Sequence, residues 1–300
     1  MTIESALGEA TFAGRLTAEL AACRHLCAGI DPHAALLAEW GLNDDAAGAE
    51  RMGRAVVEAA AGVAACVKPQ IAFFERFGAA GFAALERVLA DARAAGLLII
   101  ADVKRGDIGT SFAAYADAWL SPGSPLESDA MTVAAYQGFG SLAGAFSHVH
   151  EHGKGVFVLA ATSNPEARDV QRSRRDDGRT VAQAMFEDAQ AFNASLLDGA
   201  GDAEAHAAGR GVGPIGVVLG ATLDLADFDI DVAAPVSKPV LPVLAPGFGA
   251  QGARIEDARA IFGGLGWALL ANESRGILSG GESGLADRVR ARAEALAAAL

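Results

Sequence analysis

The sequence has 300 residues, 52% of them hydrophobic, and a formal net charge of −13. This length and apolar content can build the core of one domain, so we predict a single domain over residues 1–300, a size that α/β barrels reach without splitting. The acidic balance excludes nucleic acid as the partner, because phosphate backbones bind basic surfaces, and an anionic ligand would need a local cluster of cations.

The compartment is predicted from the N-terminus, the hydropathy and the cysteines. Residues 1–9 carry acids and lack the continuous apolar core of a signal peptide. No uninterrupted apolar stretch is long enough to span a bilayer. Cys23, Cys27 and Cys66 are too few and too irregularly spaced for a disulfide framework or a zinc site. We therefore predict a cytoplasmic protein with no membrane contact.

The chain begins with a predicted helix in which Phe12, Leu16 and Leu20 recur at helical spacing. Eight short apolar runs then alternate with helical stretches. The predicted strands are 25–30, 64–67, 97–103, 130–133, 155–160, 215–219, 240–244 and 267–270. The predicted helices include 46–62, 73–95, 112–120, 141–150, a helix ending near 197, and 284–300. This alternation predicts a closed (β/α)₈ TIM barrel with an extra N-terminal helix, and an open doubly wound sheet is the alternative.

The third strand ends in an unusual group of charges. Side chains alternate along a strand, so Asp102 and Lys104 point to the same face, and Asp107 follows in the loop. Removing an ion pair from water is costly, and such pairs cluster at functional sites. The alternative is an ion pair that only fixes the strand register.

In a (β/α)₈ barrel the active site forms at the carboxyl ends of the strands. The chemically active residues predicted there are Asp31, Lys68, Asp102, Lys104, Asp107, Thr162, Ser163 and Asn164, followed by the segments 246–252 and 272–276. The last two segments follow strands seven and eight, where barrels commonly bind phosphate. Gly247, Gly249 and Gly252 can expose backbone amides, and Arg275 can contact two phosphate oxygens.

The segment Asp102-Val103-Lys104-Arg105-Gly106-Asp107-Ile108-Gly109 resembles the Asp-x-Lys-x-x-Asp signature of orotidine 5′-phosphate decarboxylase, in its longer bacterial branch. The resemblance implies decarboxylation of orotidine 5′-phosphate to uridine 5′-phosphate (UMP), the last step of de novo pyrimidine nucleotide synthesis. It implies a lyase without metal or organic cofactor, working as a homodimer.

The resemblance also assigns roles to individual residues. Asp102 would lie against the substrate carboxylate, Lys104 would protonate the ring carbon, and Asp107 would reach into the partner's site across the dimer interface. The remaining substrate contacts would be Asp31 and Lys68 on the ribose, Ile108 and a hydroxyl of Thr110 or Ser111 beside Asp107, Ser163 on the pyrimidine edge, and Gln251 and Arg275 on the phosphate, near Gly247 and Gly249.

The chemistry requires these residue types. Decarboxylation would leave a carbanion in the plane of the pyrimidine ring, where the π system cannot absorb it, so a preplaced cation must stabilise it. Two other functions fit a barrel with such lysines. One is a Schiff-base aldolase using Lys104 or Lys68 on a phosphorylated sugar, although nearby carboxylates favour protonated lysine. The other is a non-catalytic phosphosugar-binding barrel.

Three polar clusters have less specific interpretations. His148, His150 and His152 lack an acid at matching spacing, so we expect solvated histidines and not a metal site. Residues 168–179 form an Arg-rich loop after strand five, interpreted as a solvated loop or as a lid over the phosphate. The acidic run 224–231 lacks the calcium-loop pattern and is assigned to the surface.

Overall fold

The computed structural model describes residues 4–198 and 211–300, in which eight parallel strands form one closed barrel in sequential order. The strands are β1 Leu26–Ile30, β2 Cys66–Pro69, β3 Leu98–Arg105, β4 Ala130–Val133, β5 Gly155–Ala161, β6 Ile215–Leu219, β7 Val243–Pro246 and β8 Leu269–Glu273. Pairing of β1 with β8 closes the barrel. The predicted (β/α)₈ architecture is confirmed, and the open sheet is wrong.

Helices cover the outside of the barrel and follow the strands in the predicted alternation. They span Ala34–Glu39, Ala46–Ala60, Ala72–Glu75, Gly78–Ala94, Gly109–Leu120, Ala143–His152, Ala167–Gln171, Val181–Ser195, Ala258–Phe262, Arg275–Leu278 and Leu285–Ala299. Two further helices, Glu4–Leu7 and Phe12–Ala21, precede β1. Short 3₁₀ helices lie at Phe139–Leu142, Leu225–Phe228, Ile255–Asp257 and Gly263–Ala268. In the parts of the chain with described coordinates, no helix is both long and apolar enough to cross a membrane.

Several element boundaries differ from the predictions. β2, β7 and β8 lie two to three residues later than predicted, so that Pro69 pairs with Ile30 inside the ladder. Val240 belongs instead to an isolated bridge with Val212. The predicted helix 73–95 is divided at Gly78, which has a positive φ of 59°. Apolar residues continue beyond the paired segments here, so hydrophobicity alone does not mark where pairing begins.

The helix Phe12–Ala21 fills the amino-terminal end of the barrel. Its Phe12, Leu16 and Leu20 are buried in the same cluster as Leu98 and Ile100, which point into the barrel. Phe12 meets the Phe157 ring edge to face, with centroids 5.9 Å apart. A Cβ at Gly155, the first residue of β5, would lie 2.2 Å from the Phe12 ring, so only glycine fits there. The predicted N-terminal helix is therefore part of the core. Burial of each large apolar side chain stabilises the fold by about 1.5–3 kcal/mol.

His25 joins the first and last strands and gives the fold a pH dependence. Its Nδ1 donates to the Leu269 carbonyl at 2.9 Å, and the side chain is buried. Burial lowers the pKa of His25, and the hydrogen bond to Leu269 opposes this only in part. The unfolded chain therefore binds a proton near pH 6.5 that the folded chain does not, so the free energy of unfolding falls as pH drops below about 6.5.

We expect His25→Gln, which keeps a donor but cannot titrate, to lose part of this acid sensitivity. Urea unfolding at pH 7 and at pH 5.5 measures it, with a maximum slope of about 1.4 kcal/mol per pH unit for one group. An equal loss of stability in parent and variant would contradict the assignment to His25.

Candidate active site

A cavity of about 250 Å³ opens at the carboxyl ends of the strands. Its floor is apolar and includes Val218 and Leu244, which belong to the barrel interior. Polar side chains from seven strands or the loops after them form the wall. These are Asp31, Lys68, Gln70, Asp102, Lys104, Thr132, Thr162, Ser163, Asn164, Gln251 and Asn272. The structure thus brings together six of the residues given a role above, Asp31, Lys68, Asp102, Lys104, Ser163 and Gln251, as well as Thr162 and Asn164, which were also predicted at the strand ends.

Asp102 is the centre of the polar network. Its Oδ2 accepts hydrogen bonds from Lys68 Nζ at 2.5 Å and from Gln70 Nε2 at 2.9 Å. Its Oδ1 accepts from Lys104 Nζ at 2.5 Å and from Thr132 Oγ1 at 2.9 Å. Asp102 and Lys68 are almost fully buried, whereas 45% of the Lys104 side chain is exposed. The carboxylate is therefore fixed by four donors that all line the cavity, and the Lys104 ammonium group is far more exposed there than that of Lys68.

Asp102 and Lys68 keep their charges at neutral pH. Burial raises the pKa of Asp102, but the ammonium groups of Lys68 and Lys104 outweigh this, so the net pKa is well below the ordinary value. Burial lowers the pKa of Lys68, but the carboxylates of Asp102 and Asp31 outweigh it, and the net pKa lies well above the ordinary value. Lys68 is therefore protonated and cannot attack a carbonyl as a free amine.

Lys104 occupies a strained position in β3. The pairing of β3 with β4 shifts register between Ala101 and Arg105, and Lys104 has a φ of +46°. Its backbone N–H donates to Thr132 Oγ1 at 3.0 Å instead of following a regular ladder. A non-glycine residue in this region costs about 1–3 kcal/mol and persists only where its surroundings enforce it. Asp102 and Lys104 meet as expected, but through a bulge that simple alternation does not predict.

Two buried oxygen atoms near the cavity lack hydrogen-bond partners in the described residues. They are Asp31 Oδ1 and Ser274 Oγ. Asp31 lines the cavity directly after β1, and Ser274 follows β8, the strand paired with β1. A buried acceptor without a donor is costly, so Asp31 is suited to accept a hydrogen bond from a bound hydroxyl group.

The predicted phosphate residues lie at the rim. Gly247, Gly249 and Gly252 all have positive φ angles, of 118°, 68° and 108°, which glycine adopts without strain. Gln251 from this loop lines the cavity, but Gly247 and Gly249 do not. Arg275 begins the short helix after β8, is exposed, and has no side-chain hydrogen bond or ion pair within the described ranges. It also lies outside the cavity lining.

The residues after β3 do not face the cavity of their own barrel. Asp107, Ile108, Thr110 and Ser111 are absent from its lining. Asp107 Oδ1 accepts only a local hydrogen bond, from the Ile108 backbone at 2.8 Å, as far as the described chain extends. Ile108 is 62% exposed, and Thr110 and Ser111 are exposed in the first turn of helix Gly109–Leu120. Within one chain, these residues therefore do not line the cavity that contains Lys104.

Sequence reasoning missed Gln70 and Thr132, which both bind Asp102. Gln70 lies two residues after Lys68, so alternation places both on one side of β2. Thr132 is the polar residue within the short apolar strand Ala130–Val133. Threonine is common in strands for its shape alone, so this signal is weak.

The two charged runs after β5 and β6 pair with each other. Arg168 contacts Asp227 at 2.6 Å, and Arg174 contacts Asp229 at 2.9 Å, joining these loops at the surface. The expectation of solvated histidines is wrong for His148, which is buried between helices with Nε2 3.0 Å from Asp117 Oδ1. Across residues 4–198 and 211–300, no group of three His, Cys, Asp or Glu side chains could hold a metal ion.

Fold and site together define a class of protein: a (β/α)₈ barrel whose carboxyl-end cavity contains a buried carboxylate between two lysines. The chain belongs to the orotidine 5′-phosphate decarboxylase / HUMPS family, whose model matches residues 24–279. It is 49% identical over 257 residues to an orotidine 5′-phosphate decarboxylase of Streptomyces coelicolor, covering 85% of each chain. It is 48% identical to one of a Nocardioides species, covering 89% of this chain and 91% of the relative.

A crystal structure of a Streptomyces avermitilis protein, provisionally named orotidine 5′-phosphate decarboxylase, has the same fold. It superposes with a TM-score of 0.84 at 46% identity, covering 96% of this chain and 95% of that chain.

Proposed function

We propose that this protein decarboxylates orotidine 5′-phosphate to UMP and CO₂ without a metal or organic cofactor. The observation that carries the proposal is the Asp102 carboxylate between two lysines, with the Lys104 ammonium group facing the cavity. Family membership supports the choice of substrate, and so do relatives named orotidine 5′-phosphate decarboxylase that match most of the chain. The reaction is a carboxy-lyase step that completes UMP synthesis.

Lys104 acts on the ring carbon that loses the carboxylate. The bond from C6 to the carboxylate breaks, CO₂ leaves, and the electron pair stays on C6 in the plane of the ring. The ammonium group of Lys104 stabilises this negative charge and then donates a proton to C6, and solvent reprotonates the amine. Because the ammonium is already in place before charge develops, little reorganisation is needed during the reaction.

Asp102 has two functions in this scheme. It orients the Lys104 ammonium group through a hydrogen bond, and it lies where the substrate carboxylate would bind, so that repulsion between the two carboxylates favours loss of CO₂. Gln70 and Thr132 hold Asp102 in one orientation, so it does not turn away from a bound anion.

The remaining cavity residues bind substrate. Asp31, with its unpartnered buried oxygen, and Lys68 accept and donate hydrogen bonds at the ribose hydroxyls. Ser163 binds the pyrimidine edge. Gln251 and Arg275, with the amides of the loop that contains Gly247 and Gly249, bind the phosphate at the rim.

The active unit is proposed to be a cytoplasmic homodimer in which Asp107, with Ile108 and Thr110 or Ser111, completes the partner's site. An exposed apolar surface around Asp107 supports this, since Ile108, Tyr115 and Tyr136 are 62%, 40% and 88% exposed. The segments after β3 and β4 are in close contact, because a Cβ at Gly106 would lie 2.1 Å from the Ala134 carbonyl oxygen. A second copy would remove this surface from water.

The decisive experiment mixes the purified protein with orotidine 5′-phosphate and follows the loss of the orotidine absorbance together with CO₂ release. Stoichiometric UMP and CO₂ are expected. Binding without turnover would instead support the phosphosugar-binding barrel. Covalent trapping of a carbonyl substrate by borohydride would support the aldolase, which the protonated state of Lys68 opposes.

We expect Arg275→Ala to lower kcat/KM on orotidine 5′-phosphate by about 10²-fold or more, since a remote phosphate contact can order the reacting groups. The same variant should lose much less efficiency on orotidine, which has no phosphate. Arg290→Ala, which removes an exposed arginine from the C-terminal helix, is the matched control and should keep parental kinetics. Equal losses of Arg275→Ala on both substrates would contradict the phosphate role.

A further inference from the structure

A buried ion pair lies beneath the proposed phosphate site. Glu273 is the last residue of β8, and its side chain is fully buried. Arg292, on helix Leu285–Ala299, donates from Nε to both carboxylate oxygens, at 2.9 and 3.0 Å, and its Nη2 also contacts Oε1. The arginine side chain is 31% exposed, so the pair connects the barrel rim to the surface.

Both segments of the phosphate site, the loop after β7 and the start of helix Arg275–Leu278, pack directly on this pair. A Cβ at Gly276, next to Arg275, would lie 2.3 Å from Glu273 Oε2. A Cβ at Gly249 would lie 3.4 Å from the same oxygen and 3.4 Å from Arg292 Nη2. The carboxylate and guanidinium thus form the surface against which these two glycine-containing segments rest.

The C-terminal helix is also attached to the core without this pair. Leu285, Val289 and Leu296 of that helix are already buried in the core. A buried ion pair is also a poor source of stability, because desolvation offsets its attraction and apolar residues of similar size often stabilise as well. A carboxylate at this point is, in addition, unfavourable for binding an anion unless a cation neutralises it.

We propose that Glu273 and Arg292 are positioning residues for the phosphate end of the substrate, an inference that rests on the proposed function. Glu273 sets the positions of the loop at Gly249 and of the helix start at Arg275–Gly276. Arg292 holds Glu273 in place and cancels its charge, so that a phosphate group can approach the loops without repulsion from beneath. Neither side chain touches the reacting carbon.

The test compares four variants on orotidine 5′-phosphate and on orotidine. Arg292→Met, which keeps the side chain's length and removes its charge, should lower kcat/KM on the phosphorylated substrate about tenfold or more beyond any loss on orotidine, chiefly through KM. Arg292→Lys should recover most of the loss. The double variant Glu273→Gln/Arg292→Met should recover part of it, because the unpaired carboxylate is gone. Arg290→Met, on the same helix, should match the parent.

Equal losses of Arg292→Met on both substrates would overturn the inference in favour of a purely structural pair, and so would no loss on either. If Arg292→Met does not fold, the double variant decides by the same comparison. If the parent itself does not decarboxylate orotidine 5′-phosphate, the proposed function fails, and inorganic phosphate becomes the probe. A rise in Tm with phosphate in the parent but not in Arg292→Met would support the positioning role, and equal shifts, including none in either, would overturn it.

Discussion

Replacement of Lys104 by alanine is expected to lower turnover of orotidine 5′-phosphate by about 10³-fold or more, because the cation that stabilises the ring carbanion and supplies its proton is removed. Binding of UMP should change little, since the product carries no charge on C6 for Lys104 to stabilise. The fold should survive, because Asp102 keeps its bonds to Lys68, Gln70 and Thr132.

Two measurements separate this result from general damage. UMP affinity by calorimetry tests whether the site is intact, and Lys238→Ala, an exposed lysine remote from the cavity lining, should keep parental turnover. Turnover of Lys104→Ala within about tenfold of the parent, well short of the loss expected for a preplaced charge, would refute the assignment of Lys104.

The second large effect concerns Asp107. If it completes the partner's site, Asp107→Ala and Lys104→Ala proteins are each inactive, but a mixed dimer contains one site with both lesions and one with neither. An equimolar mixture with random exchange should then regain about a quarter of the parental activity per chain, because half of the dimers are mixed and each holds one intact site.

Mass spectrometry of isotope-labelled chains confirms that subunits have exchanged. Activity that stays at the level of the separate variants, in a mixture with confirmed exchange, would place Asp107 in the site of its own chain. The absence of Asp107 from its own cavity lining makes recovery the expected result.

Sequence alone predicts the eight strands well, because each strand is an apolar run next to a helical stretch in the chain. It locates them less well at β7, where Val240 and Leu241 look like strand residues but pairing begins only at Val243. The ladder depends on contacts with β6 and β8, which are distant in sequence, and a local apolar run carries no information about them.

The features of the site likewise divide into those that the sequence predicts and those that it does not. Asp31, Lys68, Asp102 and Lys104 could be predicted because they follow apolar runs at strand ends, where a barrel concentrates polar groups. The bulge at Lys104 could not, because it arises from a register shift against β4. The placement of Asp107 is also beyond local patterns, since a loop residue's neighbours depend on the whole assembly.

The left-handed backbone of Lys104 has a consequence for the evolution of this protein. Glycine adopts a φ near +46° without strain, whereas lysine or alanine in this conformation carries a strain energy of about 1–2 kcal/mol. A selection that rewarded heat resistance alone would therefore favour glycine at position 104 over any other small residue and remove the proposed general acid in the process. Lysine at this position therefore carries a backbone strain that glycine would not. Laboratory evolution for stability should be run with a simultaneous demand for UMP production.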